Sequence, residues 1–159
     1  SGSKNARFKL IILGDLYNID KNYYKNKNLY FVGLHNPANL PKWYRTADIF
    51  IHLAWIEPSG NVQQEAIACS LPTICRNNGG IGETVKDADA GIICNADDDY
   101  MFNLVDYYNP PEPNYNNLIK DINTMFNNIK YYKDKIKYNE VDINVIAKRY
   151  GDFIKDNIS

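Results

Sequence analysis

The sequence lacks any long apolar run and any long basic block. No stretch approaches the ~18 apolar residues that a membrane-spanning helix needs, and no signal peptide is visible. The formal net charge over 159 residues is −1, which argues against binding to the phosphates of nucleic acid. We therefore expect no transmembrane segment and no nucleic-acid partner.

Cysteine is also scarce. The three cysteines, Cys69, Cys75 and Cys94, are an odd number and lack the spacing of a metal site. Cys75 and Cys94 fall in predicted strands and Cys69 in a predicted helix, so we interpret them as buried free thiols. Free thiols persist in a reducing compartment, and we expect a cytoplasmic protein.

Apolar residues make up 45% of the chain, which is enough for a core at this length. Up to Cys94, short apolar runs alternate with helical patterns. This alternation predicts an α/β fold, with a parallel sheet and helices on both faces. The predicted strands are Phe8–Leu13, Asn28–Val32, Ile49–Leu53, Pro72–Arg76 and Gly91–Cys94, and the predicted helices are Pro37–Thr46, Val62–Ser70 and Gly82–Asp87.

After Asp99 the pattern becomes helical. A helix is predicted over Tyr100–Tyr107, followed by a stiff proline-rich connector over Asn109–Pro113. Two apolar stripes follow at helical spacing, and we expect both to pack into the core. The first comprises Leu118, Ile122, Met125, Phe126 and Ile129, and the second comprises Ile143, Ile146, Ala147, Tyr150, Phe153 and Ile154.

Two glutamates stand out, because Glu57 and Glu65 flank a turn and the start of a helix. The turn follows a predicted strand, at the edge of a parallel sheet where ligands bind. The helix start offers free amides and a positive dipole end to a phosphate. The carboxylates can accept hydrogen bonds from sugar or ribose hydroxyls. The combination suits a nucleotide sugar, although each acid alone could be an ordinary turn or surface residue.

Six short motifs follow one another from position 47 to position 93. They read Ala-Asp-Ile-Phe at 47–50, Glu-Pro-Ser-Gly at 57–60, Glu-Ala-Ile-Ala at 65–68, Leu-Pro-Thr-Ile at 71–74, Gly-Gly-Ile-Gly-Glu at 79–83 and Ala-Gly-Ile-Ile at 90–93. Together they resemble the C-terminal, donor-binding domain of a retaining glycosyltransferase of the GT-B fold. The family they resemble is the "glycosyltransferases group 1" (family 4).

The resemblance implies a role for each part of the site. Glu57 would face the donor sugar as the catalytic residue, and Glu65 would hold the ribose hydroxyls. The resemblance also implies a UDP- or GDP-linked donor, with no separate cofactor. No Asp-x-Asp motif occurs in a strand-loop context, so we expect no metal at the donor. The other implied donor-binding residues are Ser59, Gly60, Asn61 and Val62 near the diphosphate, Gly79 and Gly80 near the sugar, and Leu34 and His35 near the base.

The sequence departs from the family pattern at its start. We interpret residues 1–3 as a tag remnant and 4–159 as a single nucleotide-sugar-binding domain. The family's first strand and helix, with their Gly-Arg and Lys-Gly, have no counterpart here. We therefore expect a fragment that lacks its N-terminal GT-B domain, and an isolated chain that transfers nothing. The acceptor could be a glycan, a lipid or a protein. The alternatives are a sugar epimerase or phosphorylase with a GT-B-like fold, which the Glu57 and Glu65 pattern fits less well, and a non-catalytic binding or assembly module.

Overall fold

The computed structural model describes residues 8–15, 27–94 and 111–157. The chain divides into two compact units, Ser1–Leu40 and Pro41–Ser159, and each is described by itself. The helix predicted over Tyr100–Tyr107 lies outside the described residues, as does the start of the connector that follows it. The single domain expected over 4–159 stays a prediction.

The first unit contains two parallel strands, β1 (Leu10–Leu13) and β2 (Leu29–Gly33). A short 3-10 turn over Pro37–Asn39 follows, and the Asn36 side chain caps it by accepting from the Ala38 amide at 2.9 Å. The helix predicted to begin at Pro37 therefore starts as a 3-10 turn. It becomes α-helical in α1 (Leu40–Thr46).

The second unit contains a parallel sheet in the order β3 (Phe50–His52), β4 (Thr73–Arg76) and β5 (Gly91–Cys94). Helix α2 (Asn61–Ala68) connects β3 to β4, and α3 (Ile81–Asp87) connects β4 to β5. All four residues of β4 are buried, as expected for a central strand covered on both faces.

Helices cover both faces of this sheet. Ile74 and Cys75 are neighbours on β4, so their side chains point to opposite faces. Cys75 packs in a cluster with Ile67 of α2 and with Ile81 and Val85 of α3. On the other face Ile74 packs with Cys94 and with Met125 of the helix α4 (Tyr115–Asn127). The α/β architecture predicted from the alternating pattern is confirmed.

The first apolar stripe lies in the core as predicted. Its residues fall on α4 and the start of α5 (Ile129–Lys135). Met125 is fully buried, and Leu118, Ile122 and Ile129 pack against its cluster. Phe126 is the exception and is 43% exposed.

The prediction that the second stripe packs into the core is wrong. The stripe lies on α6 (Ile143–Asn157), where the side chains of Ile143, Tyr150 and Phe153 are 73%, 67% and 67% exposed. Helix α6 contacts the short 3-10 turn Tyr138–Val141, next to an ion pair between Arg149 and Glu140 at 2.7 Å. This contact covers too little of the helix to bury its apolar face. Helical spacing identifies such a face but not what packs against it.

Candidate functional site

The loops that follow β3 and β4 meet at the carboxyl edge of the second unit's sheet. The Gly80 amide donates to the Glu57 carbonyl oxygen at 3.1 Å. A Cβ on Gly79, which has a φ of +84°, would overlap that same carbonyl, and one on Gly80 would overlap the Pro58 carbonyl. Glycine at both positions permits this close approach. The structure therefore brings the predicted Glu57 turn and the predicted glycine pair together.

The first turn of α2 is open to an anion. Gly60 occupies the N-cap position and provides no side-chain acceptor for the amides that follow. The nearby Ser59 hydroxyl accepts from the Gln64 side-chain amide at 3.2 Å rather than capping the helix. Asn61 and Val62 are exposed residues in this first turn, at the positive end of the helix dipole. This geometry suits a phosphate.

Gln63 is a site residue that sequence reasoning missed. It is fully buried in the first turn of α2, and its side-chain amide donates to the Ile81 carbonyl at 3.1 Å. Its Oε1 has no hydrogen-bond partner within the described part of the chain. A Cβ on Gly60 would lie 3.3 Å from this oxygen and 3.3 Å from the Glu57 Cγ. Gln63 thus joins the starts of α2 and α3 beside Glu57.

Glu65 lies one turn further along α2 and is held by a second residue that the sequence did not reveal. Tyr44 of α1 is only 8% exposed, and its hydroxyl donates to Glu65 Oε2 at 3.0 Å. Burial, followed by the Glu65 carboxylate, raises the pKa of Tyr44 above its usual range. Tyr44 is therefore a protonated donor at neutral pH. The Glu65 residue is otherwise exposed, as expected of a ligand-binding acid.

His52 ends β3, close to Glu57. Its ring stacks on Phe50, with centroids 6.0 Å apart and planes inclined by 17°. Burial lowers the pKa of His52, while the charge of Glu57 acts in the opposite direction. The two groups are thus close enough to interact electrostatically. Within the described residues, the buried His52 Nδ1 has no hydrogen-bond partner.

Arg76 ends β4 and is the arginine nearest to the predicted site in the sequence. It is 4% exposed, its guanidinium lies 4.7 Å from the centre of the Trp55 ring, and its Nη1 donates to the Pro111 carbonyl at 3.0 Å. These contacts tie together the β3 loop, β4 and the segment before α4. They hold the guanidinium within the fold.

Leu34 and His35 lie in the first unit, in the loop between β2 and the 3-10 turn. Leu34 is 75% exposed and His35 is half-buried. Their predicted contact with the base, in a site shared with the second unit, stays a prediction. In the described ranges, no helix is long and apolar enough to cross a membrane, and no group of three or more His, Cys, Asp or Glu residues could hold a metal ion.

The sequence matches known glycosyltransferases. The model of the family described as "Glycosyl transferases group 1" matches residues 2–105. Spore coat protein SA of Bacillus subtilis (strain 168) is 34% identical over 64 residues, which cover 40% of this chain and 17% of that protein. D-inositol 3-phosphate glycosyltransferase of Paenarthrobacter aurescens (strain TC1) is 30% identical over 94 residues, which cover 54% of this chain and 23% of that protein. The chain therefore spans less than a quarter of these two relatives.

Two solved structures share the fold. Sucrose-phosphate synthase from Thermosynechococcus elongatus superposes with a TM-score of 0.66 at 20% identity, covering 93% of this chain and 38% of that one. Anabaena HepE, determined in complex with UDP-glucose, superposes with a TM-score of 0.57 at 17% identity, covering 90% of this chain and 41% of that one. The likeness confirms a Rossmann-like α/β fold corresponding to one GT-B half.

Proposed function

The chain belongs to the glycosyl transferases group 1 family. We therefore propose that it binds the nucleotide-sugar donor of a retaining glycosyltransferase. The enzyme would transfer a sugar from a UDP- or GDP-linked donor to a glycan, lipid or protein acceptor. One observation carries the proposal: the Glu57 loop, the uncapped start of α2 and the Gly79–Gly80 loop adjoin at the carboxyl edge of the sheet. HepE, which has a similar fold, was determined with UDP-glucose.

Each part of this arrangement has a chemical task. The amides of Ser59 to Val62 would bind the diphosphate, whose charge grows as it leaves the sugar. The Glu57 carboxylate and the Gly79–Gly80 loop would lie beside the sugar. Glu65 would accept hydrogen bonds from the two ribose hydroxyls. No step in this scheme uses a metal or a cofactor, and the nucleotide sugar is the substrate.

The acceptor site would come from an N-terminal GT-B domain, and the cations that neutralise the diphosphate would come from the family's Gly-Arg and Lys-Gly segment. The buried Arg76 is already engaged with Trp55 and Pro111. We therefore expect the isolated chain to bind nucleotide weakly and to transfer no sugar. Loss of two cations, each worth ~1.5–3 kcal/mol in a charge-assisted hydrogen bond, would slow turnover by roughly two to four orders of magnitude. Sugar transfer by the isolated chain would contradict this expectation.

The first test is a thermal-shift titration of the isolated chain with UDP, GDP and their sugars. A ligand at ten times its Kd stabilises the native state by about 1.4 kcal/mol. Glu65→Ala removes charge-assisted bonds worth ~1.5–3 kcal/mol, so we expect its affinity to fall at least tenfold. Asp152→Ala, an exposed acid on α6, is the control and should respond like the wild type. An unshifted wild type at millimolar nucleotide, or a normal response of Glu65→Ala, would overturn the proposal.

A second candidate is a non-catalytic module that binds nucleotide sugars or assembles with other proteins. The engagement of Arg76 favours it, because Trp55 and Pro111 hold that guanidinium within the fold. The upstream coding sequence separates the two candidates. A second α/β domain followed by Gly-Arg and Lys-Gly would favour the enzyme, and a natural start near Lys4 would favour the module.

A further inference from the structure

We propose that Tyr44 is a positioning residue for donor binding, whose hydroxyl fixes the Glu65 carboxylate in the orientation that receives the ribose hydroxyls. The inference rests on the donor-binding role proposed above for Glu65. It adds a residue from a different helix, 21 positions earlier in the chain, which none of the sequence motifs includes.

The Tyr44 side chain is itself immobilised. It is buried, and its ring meets the Phe50 ring edge-on, with centroids 5.9 Å apart and planes at 86°. Phe50 in turn stacks on His52, so the chain of contacts follows β3 toward the Glu57 loop. The position of the phenol oxygen is therefore set by packing within the sheet and α1.

Glu65, in contrast, is an exposed side chain with several rotatable bonds. Alone on a helix surface it would sample many rotamers, and a ligand would have to order them on binding. The hydrogen bond from Tyr44 to Oε2 orders the carboxylate before the ligand arrives. Because the Tyr44 hydroxyl bonds to Oε2, the other carboxylate oxygen, Oε1, can accept from a hydroxyl of the ligand. Ordering in advance raises affinity because less conformational freedom is lost on binding.

The protonation states suit this role. Burial and the neighbouring carboxylate raise the pKa of Tyr44, so the phenol keeps its proton. The phenol is thus a fixed donor to Glu65 Oε2. Since a carboxylate offers about four lone-pair sites, one bond from Tyr44 leaves capacity for both ribose hydroxyls.

The test compares Tyr44→Phe with the wild type, since this change removes the hydroxyl and keeps the ring. Dissociation constants are measured by calorimetry for UDP or GDP, whichever the wild type binds more tightly, and for its 2′,3′-dideoxy analogue. We expect Tyr44→Phe to weaken binding of the natural nucleotide about fivefold to tenfold and to change that of the analogue less than twofold. Tyr150→Phe, an exposed tyrosine on α6, should change neither.

The analogue separates positioning from a purely structural role. An equal loss for both ligands would mean that Tyr44 only supports the fold and would overturn the inference. An unchanged affinity of Tyr44→Phe for the natural nucleotide would also overturn it. Glu65→Ala, measured alongside, identifies failure of the underlying proposal. If that variant still prefers the natural nucleotide as the wild type does, Glu65 does not hold the ribose. Circular dichroism confirms that each variant is folded at the assay temperature.

Discussion

At the scale of single residues, polar groups in buried surroundings define this site. Tyr44, Gln63 and His52 each lie wholly or partly inside the second unit, beside Glu57 or Glu65. The two glutamates stand out in the sequence because their residue type and spacing suit a nucleotide sugar, and their role as ligands stays a prediction. Tyr44 and Gln63 could not, because each acts through a contact with another element. Gln63 in the first turn of a helix looks like a surface residue until the helix is packed.

His52 predicts how stability depends on pH. Burial lowers its pKa below 6.5, so as the pH falls the unfolded chain takes up a proton before the native state does. The contribution of His52 to stability is therefore complete above pH 6.5 and declines below it. We expect the free energy of unfolding, measured by urea denaturation, to fall more between pH 7.5 and pH 5.5 in the wild type than in His52→Asn.

The charge of Glu57 raises the pKa of His52 and so opposes the effect of burial. Removing that charge provides a control for the pH dependence assigned to His52. In a Glu57→Gln background, the loss attributable to His52 should be larger because the opposing charge has been removed. The assignment would be contradicted if the free energy of unfolding of the wild type, relative to that of His52→Asn, stayed constant with pH or increased as the pH falls.

At the scale of elements, the alternating pattern predicts the order and type of the described strands and α-helices up to Cys94, and the errors there fall at the ends of the elements. Helix α2 was predicted to reach Ser70 but ends at Ala68. The chain reverses there, since Ser70 has a φ of +57°. Its amide donates to the Ile67 carbonyl at 2.8 Å, and the Leu71 amide donates to the Ala66 carbonyl at 3.0 Å. This is a Schellman cap, a position where glycine is usual and serine gives no sequence signal.

The cap predicts that Ser70→Gly stabilises the chain. A non-glycine residue in the left-handed region costs roughly 1–2 kcal/mol, and glycine removes this cost. The greater conformational freedom of glycine in the unfolded chain offsets about half of that stabilisation. We expect a net increase of roughly 0.5–1 kcal/mol in the free energy of unfolding, measured with urea. Ala68→Gly, inside the last turn of α2, is the matched control and should destabilise by a similar amount. A destabilised Ser70→Gly variant would contradict the cap.

At the scale of the whole molecule, sequence motifs identify the family but not the surfaces of the chain. The exposed stripe on α6 shows why: its spacing matches a core helix, but the described residues of the second unit offer it little to pack against. Ile146, Arg149, Tyr150 and Phe153 line a groove of about 480 Å³ on that helix. The start of α2 and the α6 groove are thus two separate surfaces at which a ligand could bind.

The most direct test of the donor-binding account is a titration of the ¹⁵N-labelled chain with UDP and with GDP, followed by amide chemical shifts. We predict that one nucleotide perturbs the amides of Gly60, Asn61, Val62 and Gly80 most strongly and leaves those of α6 unchanged. Perturbations concentrated on the α6 groove, or none with either nucleotide at millimolar concentration, would contradict it.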